Sequence, residues 1–382
     1  MCEDLAGADS LHIADYAVFV LMLLVSATIG LHYAWIGRRQ QNTQEFLTGD
    51  RKLTALPVSL SLTASDLSSI ILISIPVEVY RYGAIIGYAC FGHFLAQVFT
   101  CEIFLPVFYR LPITSTFQYL ELRYNKVTRL LVTFLAIIQT LLLSGLAIYA
   151  PALALNQVTG WNLWVVIVVT GMVCTAYSAL GGMKAVVWTD VFQVAYIEEY
   201  QMSQFRVYGF PSFDLNPLRR HTFWTIAIGG TLGWTMTSGT SQTQVQRYNS
   251  CKSITHARIA VFISVVSYSL FLGSAVFSGL SGKISFSDQL LPYLVMDILK
   301  SYPGLPGLFL AAVYSGTLST VSSIINTLAA VTLEDLIKPN VTLTDRQLLY
   351  ISRALSTIGG LCVSMAGLAS LMGLLAQVVR IC

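Results

Sequence analysis

The chain has 382 residues, of which 55% are hydrophobic and only 11% are charged, and its mean hydropathy is +0.68. Soluble domains carry about 25% charged residues, so this composition predicts a protein that crosses a membrane several times. The net charge of +3 is small, and the sequence contains no phosphate-binding glycine loop and no His and Cys set with metal-ligand spacing. These features argue against a nucleic-acid-binding protein and a metalloenzyme.

Nine apolar segments are long enough to cross a bilayer as helices, which takes about 20 residues. The chain begins with an acidic stretch that lacks the positive region of a cleaved signal, so the first segment is predicted to be retained. The seven cysteines are an odd number and lie mostly inside apolar segments, which argues against a disulfide framework. The nine predicted helices span residues 15–36, 54–76, 83–107, 128–154, 162–180, 222–245, 259–281, 304–333 and 353–379.

Lysine and arginine residues orient these helices, because short cytoplasmic loops accumulate positive charge. Arg38, Arg39, Arg51 and Lys52 follow the first helix, which places the N-terminus outside the cell. Basic and non-basic loops then alternate through the fifth helix. Beyond it, two basic loops, the first containing Arg247, would fall outside the cell unless the chain crosses the membrane once more.

The segment available for that extra crossing is Met183–Ile197, which is short for a membrane helix. It contains Lys184 and Asp190, and a polar stretch rich in turn-forming residues follows it. We therefore expect that part of a sixth membrane helix and its outer loop is missing; the alternative is a short, tilted or re-entrant segment. The last apolar segment reaches Cys382 without a polar tail, which predicts that later helices are missing too.

A cluster of hydroxyl groups interrupts the apolar segment near the C-terminal end of the chain. On a helix these side chains cover one broad face, and such a face can hold a hard cation through oxygen ligands. The alternative is that each hydroxyl bonds a carbonyl one turn back, or bonds a neighbouring helix. The cluster consists of Thr317, Ser319, Thr320, Ser322 and Ser323.

Two other segments, Ser59–Ser74 and Gly229–Gln246, are crowded with hydroxyl groups, amides or glycine and would make poor continuous helices. They are five helices apart if the damaged helix is counted as the sixth. Paired interruptions of this kind indicate a substrate site between inverted repeats, where unwound backbone supplies ion ligands. The alternative is a pair of polar helices that line a pore or pack through small residues.

Blocks of sequence in both halves of the chain resemble one transporter family. They include LTASDLSSIILISIPVEVYRYG, LPVFYRLPITSTFQYLELRYN, LGGMKAVVWTDVFQ and YSGTLSTVSSIINTLAAVTLEDLIKP. These blocks are similar to the sodium/solute symporter family, and more narrowly to its branch of sodium-dependent multivitamin, monocarboxylate and iodide transporters. The resemblance covers nearly everything from Asp15 to about Met372.

The resemblance implies an all-α integral membrane protein with the five-plus-five inverted-repeat sodium symporter fold. Residues 15–36 would form an extra N-terminal helix, 54–200 the first repeat and 222–382 the second, within one transporter domain of residues 1–382. The sixth helix would be damaged and the C-terminal helices missing. The implied function is sodium-driven import of a small organic anion, monocarboxylate or vitamin by alternating access at the plasma membrane, without cofactors other than the coupling Na+.

The family's sites carry over to particular residues of this chain. By this resemblance, the sodium site of the family would be formed here by the backbone carbonyls of Ala64, Leu67 and Gly316 and the hydroxyls of Ser319 and Thr320. Ser65, Asp190 and Gln193 match positions that are linked to sodium or to coupling in the same branch. For Asp190 the alternative is an ion pair with Lys184 at the cytoplasmic membrane interface. Substrate candidates beside the two interruptions are Asp66, Ile71, Trp234, Ser238, Gln242 and Gln244.

Asp66 departs from the pattern of the related anion transporters, which resemble one another in having an uncharged, often aromatic residue at this position. A dry carboxylate there would repel an anionic substrate, or would bind a cation or a proton instead. Monocarboxylate or iodide selectivity is therefore in doubt, and a neutral or amine substrate becomes an alternative. A solvated Asp66 in a water-filled vestibule would have little effect.

The sequon Asn340-Val341-Thr342 provides a test of the predicted orientation. The topology places this segment in the cytoplasm, so we predict that Asn340 is not glycosylated. Glycosidase treatment should leave the electrophoretic mobility of the expressed chain unchanged. A mobility shift would contradict an extracellular N-terminus.

The expected loss of part of the sixth helix and of the C-terminal helices suggests a second possible function. A chain with an incomplete second repeat would expose backbone groups that lipid cannot satisfy, and it would then act at most as a partner or regulator of a full-length symporter. An enzyme is not expected, because the sequence offers no set of nucleophile, base and orienting residue.

Overall fold

The computed structural model describes residues 12–36, 43–68, 84–111, 113–202, 224–281, 304–341 and 343–371, together with Ile71, 74–76, 78–79 and Thr222. Its described residues are almost entirely helical, as predicted. The helices are α1 (Ile13–Ile36), α2 (Thr43–Thr48), α3 (Ala55–Asp66), α4 (Ala89–Phe99), α5 (Leu105–Arg110), α6 (Thr116–Arg123), α7 (Lys126–Thr159), α8 (Leu163–Met202), α9 (Gly230–Thr240), α10 (Gln242–Tyr248), α11 (Ile254–Ser281), α12 (Leu305–Val331) and α13 (Asp345–Leu371).

Six helical spans in this part of the chain are long and apolar enough to cross a membrane. They confirm a multi-pass membrane protein. The spans are Ile85–Arg110, Lys126–Asn156, Leu163–Leu180, Ile254–Val276, Leu305–Ile337 and Asp345–Ser370, and a shorter apolar helix covers Ile13–Ile29.

Helix α12 forms the centre of the fold. Every residue from Pro306 to Val331 is buried except Thr320, which is half-buried. Many of its residues are Gly, Ala, Ser or Thr, and small side chains of this kind let neighbouring membrane helices approach closely. Helices α1, α7, α8 and α13 pack against it. The hydroxyl cluster therefore lies in the protein interior and not on a lipid-facing surface.

The first predicted interruption is present at the end of α3. This helix ends at Asp66, and Leu67 has φ −87° and ψ 59°, which is outside the helical region. The Leu67 amide still donates to Thr63 O at 2.9 Å. A helix that ends here leaves the carbonyls of its last turn, including that of Ala64, without the usual intrahelical donors.

The second predicted interruption lies between α9 and α10. Ser241 is extended, with φ −61° and ψ 129°, so the chain leaves the α9 axis and starts a new helix at Gln242. The segment just before α9, Trp224–Gly229, is a π-helix. Both segments that were predicted to be poor continuous helices are thus broken, each within the residues singled out from the sequence.

The segment after the fifth predicted helix differs from the expectation of a short apolar run. Helix α8 bends at Gly182, where φ is 59° and ψ is −156°, and then continues to Met202. Glycine is required at the bend, because an added Cβ would lie 2.6 Å from Phe46 O and the backbone has positive φ. Helical structure therefore extends past Ile197, where the apolar pattern ends.

Two arginines that lie near the ends of predicted membrane helices are buried. Arg129 on α7 is 6% exposed and donates to Asp335 Oδ1 at 2.9 Å and to Glu334 O at 2.8 Å. Asp335 also accepts from the Ser115 hydroxyl at 2.7 Å. Arg247 on α10 is 1% exposed. Arg247, which the sequence assigned to a basic loop, therefore lies instead within a helix, enclosed by acceptors on neighbouring helices.

Asp15 fixes the N-terminus of α12 to α1. Its carboxylate is 1% exposed, and Oδ1 accepts from the amides of Gly304 at 2.8 Å and Gly307 at 3.0 Å. Oδ2 accepts from the amide of His12 at 2.9 Å, at the start of its own helix. One carboxylate therefore caps two helix N-termini, where free amides and the helix dipole favour negative charge.

We expect Asp15→Ala to lower the free energy of unfolding by about 1 to 2 kcal/mol, the usual cost of losing an N-cap. Asp15→Asn keeps an acceptor oxygen and should recover most of this loss. Thermal unfolding of both purified variants in detergent measures the difference. Equal melting temperatures for the wild type and Asp15→Ala would contradict the double-cap assignment.

Candidate functional site

A cavity of about 960 Å³ opens where the two interrupted helices meet α7 and α12. This volume lies at the upper end of the range for small-molecule sites. Five of the six predicted substrate residues line it: Asp66, Ile71, Trp234, Gln242 and Gln244. Ser65 and Thr320, predicted as sodium-related residues, line the same cavity.

Asp66 and Gln244 join the two helix interruptions directly. Gln244 Nε2, two residues into α10, donates to Asp66 Oδ1 at 2.7 Å. The other carboxylate oxygen, Oδ2, is 4.0 Å from His93 Nε2 on α4. Asp66 is 8% exposed and His93 is fully buried, so this contact is shielded from bulk water. The residue that departs from the related anion transporters is therefore a structural link across the cavity.

The side chains of Ser238 and Gln242 are engaged in hydrogen bonds with neighbouring segments of the protein. Ser238 is 1% exposed and lies behind the cavity wall, where its hydroxyl accepts from Gln97 Nε2 at 2.9 Å. Gln242 lines the cavity, but its side-chain oxygen accepts from Thr116 N at 2.7 Å and its Nε2 donates to Thr114 O at 2.8 Å. Both side chains thus hold neighbouring segments together.

The hydroxyl cluster on α12 divides into two groups. Thr317, Thr320, Ser322 and Ser323 each donate to a carbonyl three or four residues back, at 2.7 to 3.1 Å. Ser319 Oγ is buried, does not bond to the preceding turn and lies beside the Asp190 carboxylate. Bonding to the preceding turn, the alternative raised by the sequence, therefore accounts for four hydroxyls, and Ser319 is the exception.

The predicted sodium ligands occupy two neighbouring elements. Ala64 and Leu67 are buried at the end of α3, and this helix packs directly against α12. Thr320 gives its proton to Gly316 O at 2.9 Å, so its oxygen lone pairs remain available on the side that faces the cavity. Carbonyl and hydroxyl oxygens of this kind are suitable ligands for a hard cation.

Asp190 pairs with Arg247, and not with Lys184, which was the alternative partner suggested by the sequence. Arg247 Nη2 lies 3.4 Å from Asp190 Oδ2, and both side chains are almost fully buried. The same carboxylate oxygen accepts from the Ser61 hydroxyl at 2.5 Å, and the Ser319 hydroxyl lies beside this carboxylate. The pair lies between α3, α8, α10 and α12.

Arg247 connects these four helices through its guanidinium group. Nε donates to Ser61 Oγ at 2.8 Å, and Nη1 donates to Ser65 Oγ at 3.2 Å. Nη2 donates to Ser323 Oγ at 2.5 Å. The planar, forked geometry of arginine allows these bonds to form together. Arg247 thus links the hydroxyl cluster to α3 and to Asp190.

Sequence reasoning missed Arg247, His93 and Gln97 as site residues. An arginine inside the amide-rich run Gln242–Tyr248, directly after a helix interruption, is the signal that could have identified Arg247. His93 and Gln97 are one turn apart on an otherwise apolar helix and gave only a weak signal. Gln193 is helical, but its side chain lies outside the described part of the chain.

The fold and the site together define a class: a helical membrane protein in which two interrupted helices and a buried hydroxyl-bearing helix enclose a solute cavity. A family model described as "Sodium:solute symporter family" matches residues 46–197. The chain belongs to the sodium:solute symporter family.

The relatives that resemble this chain include transporters of two kinds. It is 52% identical to "Sodium-coupled monocarboxylate transporter 1" of Mus musculus over 398 residues, covering 95% of this chain and 65% of that protein. It is 46% identical to the human "Sodium/iodide cotransporter" over 401 residues, covering 94% of this chain and 61% of that protein. The chain thus spans less than two thirds of the length of these two curated relatives.

A solved structure supports the fold. It is titled "Substrate-bound outward-open state of a Na+-coupled sialic acid symporter reveals a novel Na+-site" and matches with a TM-score of 0.80 at 21% identity. The match covers 94% of this chain and 83% of that one. The architecture predicted from the sequence, that of a sodium symporter, is therefore confirmed at the level of the fold.

Proposed function

We propose that this chain is a sodium-coupled symporter that imports a small organic solute by alternating access. The observation that carries the proposal is the position of Ser319 and Thr320 on the central helix. Ser319 has a buried hydroxyl that no carbonyl of its own helix engages and that lies beside the Asp190 carboxylate, and Thr320 is the half-buried residue that reaches the cavity beside the end of α3. Hydroxyl oxygens that lie near the free carbonyls of a helix end are suitable ligands for a hard cation.

Sodium would bind between the last turn of α3 and the Ser319/Thr320 face, with the carbonyls of Ala64, Leu67 and Gly316 completing its oxygen ligands. Its binding would favour the outward-open state, because a ligand shifts a conformational equilibrium towards the state that binds it better. One charge that enters at a membrane potential of 100 mV supplies about 2.3 kcal/mol. This free energy would drive uptake of the solute from the adjacent cavity.

Particular residues would divide the work of coupling and solute binding. Ser65, Asp190 and Gln193 would take part in coupling, and Asp66, Ile71, Trp234 and Gln244 would contact the solute. The chain would form one transporter domain with repeats 54–200 and 222–382 in the plasma membrane, with its N-terminus outside. The names of the relatives make monocarboxylates and iodide the first solutes to test, and the resemblance adds vitamins.

Sodium-dependent uptake tests this proposal. Cells that express the chain would be supplied with labelled lactate, biotin, pantothenate, iodide and β-alanine, in sodium medium and in choline medium. We expect saturable uptake of at least one solute in sodium only. Surface expression without any sodium-dependent uptake would reject the proposal.

A second candidate function is that of a chain that folds without transporting. The observation in its favour is a gap in the alignment with the mouse relative. The alignment is 398 positions long, but only 95% of the 382 residues of this chain take part in it. The mouse relative therefore contains residues that have no counterpart in this chain. We place this difference between Gln193 and Tyr208, where the predicted crossing is short. Such a chain could associate with a full-length symporter, and co-expression with the mouse relative would reveal altered uptake by that protein.

A further inference from the structure

The cavity wall between the two helix interruptions offers one carboxyl group and several hydrogen-bond acceptors. Asp66 is the one ionisable residue among the described residues that line it. The hydroxyls of Thr237, Thr240 and Thr320 donate to carbonyls one turn back, at 3.0, 2.7 and 2.9 Å. Because their protons are engaged, these hydroxyls present oxygen lone pairs to a solute.

Gln244 adds an acceptor at the same place. Its Nε2 is engaged by Asp66, while its Oε1 is buried and has no hydrogen-bond partner within the described residues. Gln244 is 6% exposed and lines the cavity. The Gln244 oxygen is thus an unused acceptor next to the Asp66 carboxylate, and a rotation of the Gln244 side chain towards the cavity would offer it to a solute.

The nearest basic side chains do not supply that donor. His93 Nε2 lies 3.2 Å from Gln97 Nε2 and 4.0 Å from Asp66 Oδ2, and His93 does not line the cavity. Arg247 directs its guanidinium to Ser61, Ser65, Asp190 and Ser323 and does not line the cavity. A bare carboxylate placed in the cavity would face Asp66 without a cationic side chain among the described lining residues.

The aromatic wall also suits a positive charge. Trp234 lines the cavity and packs edge-on against His93 at 5.2 Å and Tyr268 at 5.7 Å between ring centroids. These contacts hold the indole in one orientation. The face of a tryptophan ring attracts a cation through its quadrupole.

We propose that the cavity recognises a primary ammonium group, which binds between the Asp66 carboxylate and Gln244 Oε1 beside the Trp234 ring. The three N–H donors of an ammonium group match the acceptors that the wall presents. The solute class is therefore a small amine or amino acid and not a simple monocarboxylate. This inference rests on the proposed function only in treating the cavity as the solute site.

Ligand binding to the purified full chain tests the inference without requiring transport. The probes are ethanolamine, which carries only the ammonium group, propionate, which carries only the carboxylate, and β-alanine, which carries both. The readouts are thermal stabilisation and Trp fluorescence in detergent with constant sodium. We expect ethanolamine and β-alanine to bind saturably and more tightly than propionate.

Two variants identify the ammonium site. Asp66→Asn keeps the volume of the side chain and should weaken ethanolamine binding about tenfold or more, because a charge-assisted bond is lost. Gln244→Leu should weaken it by a smaller factor. The control is Glu102→Gln, which removes an exposed carboxylate that pairs with Arg258 and does not line the cavity, and it should leave binding unchanged.

Three outcomes would overturn the inference: tighter binding of propionate than of ethanolamine, unchanged ethanolamine binding in Asp66→Asn, or an effect of Asp66→Asn on sodium affinity alone. The last would assign the carboxylate to sodium. Ethanolamine binding without sodium-dependent uptake would support this inference and reject symport. Sodium-dependent uptake of propionate without ethanolamine binding would support symport and reject this inference.

Discussion

Replacement of Arg247 by alanine should destabilise the protein by about 3 to 5 kcal/mol, the cost of leaving one charge of a buried ion pair uncompensated. The change removes the cationic partner of Asp190 and the donors to Ser61, Ser65 and Ser323. The loss should exceed that of Asp15→Ala, because four helices meet at Arg247. We expect a large fall in the melting temperature of the purified protein and in surface expression.

Other substitutions at the same pair separate charge from packing. Arg247→Lys should rescue little, because an ammonium group cannot reproduce the forked bonds of the guanidinium. Arg247→Met combined with Asp190→Asn removes both charges and should be more stable than Arg247→Ala. The matched control is Arg258→Met, because the Arg258–Glu102 pair is exposed and is worth about 0 to 1 kcal/mol. If Arg247→Ala and Arg258→Met gave equal melting temperatures, Arg247 would not be the link between the four helices.

Removal of the two hydroxyls of α12 that are proposed as sodium ligands should produce the largest functional change. Ser319→Ala and Thr320→Ala each delete an oxygen proposed as a sodium ligand, and each should raise the sodium concentration for half-maximal uptake by about tenfold, equivalent to about 1.4 kcal/mol. Thr320→Ser keeps the hydroxyl and should stay close to the wild type. Sodium titration of uptake measures these shifts.

The control for these variants is Thr317→Val on the same helix. Thr317 is buried and donates to Val313 O at 3.1 Å, but it does not line the cavity. Valine conserves its shape, so sodium dependence should not change, although stability falls slightly. A similar shift in Thr317→Val and Thr320→Ala would indicate a general effect of helix packing and would argue against a sodium site.

The architecture was largely predictable because it depends on strong, local signals. Apolar length predicts membrane helices, and the crowding of hydroxyl groups and glycine predicted the breaks at Leu67 and Ser241. The course of α8 was harder to predict. Its apolar pattern ends near Ile197, but helical structure continues to Met202 after a bend that depends on the contact of Gly182 with Phe46.

The sequence predicted which residues line the site better than it predicted the hydrogen bonds and ion pairs that link them. The resemblance identified Asp66, Gln244 and Thr320, and these residues do meet at one cavity. The role of Arg247 could not be read from the sequence, because its partners lie on helices far apart in the chain. A charge near a predicted helix end is usually solvated, and only the packing of four helices around it makes Arg247 a buried link.

Direct binding of radioactive sodium to the purified full chain tests the central claim of a sodium site between the end of α3 and α12. We predict saturable binding that unlabelled sodium displaces and potassium does not, and its loss in the double variant Ser319→Ala/Thr320→Ala. Thr317→Val should bind like the wild type. Absence of saturable binding to the folded wild type, or unchanged binding in the double variant, would contradict the account.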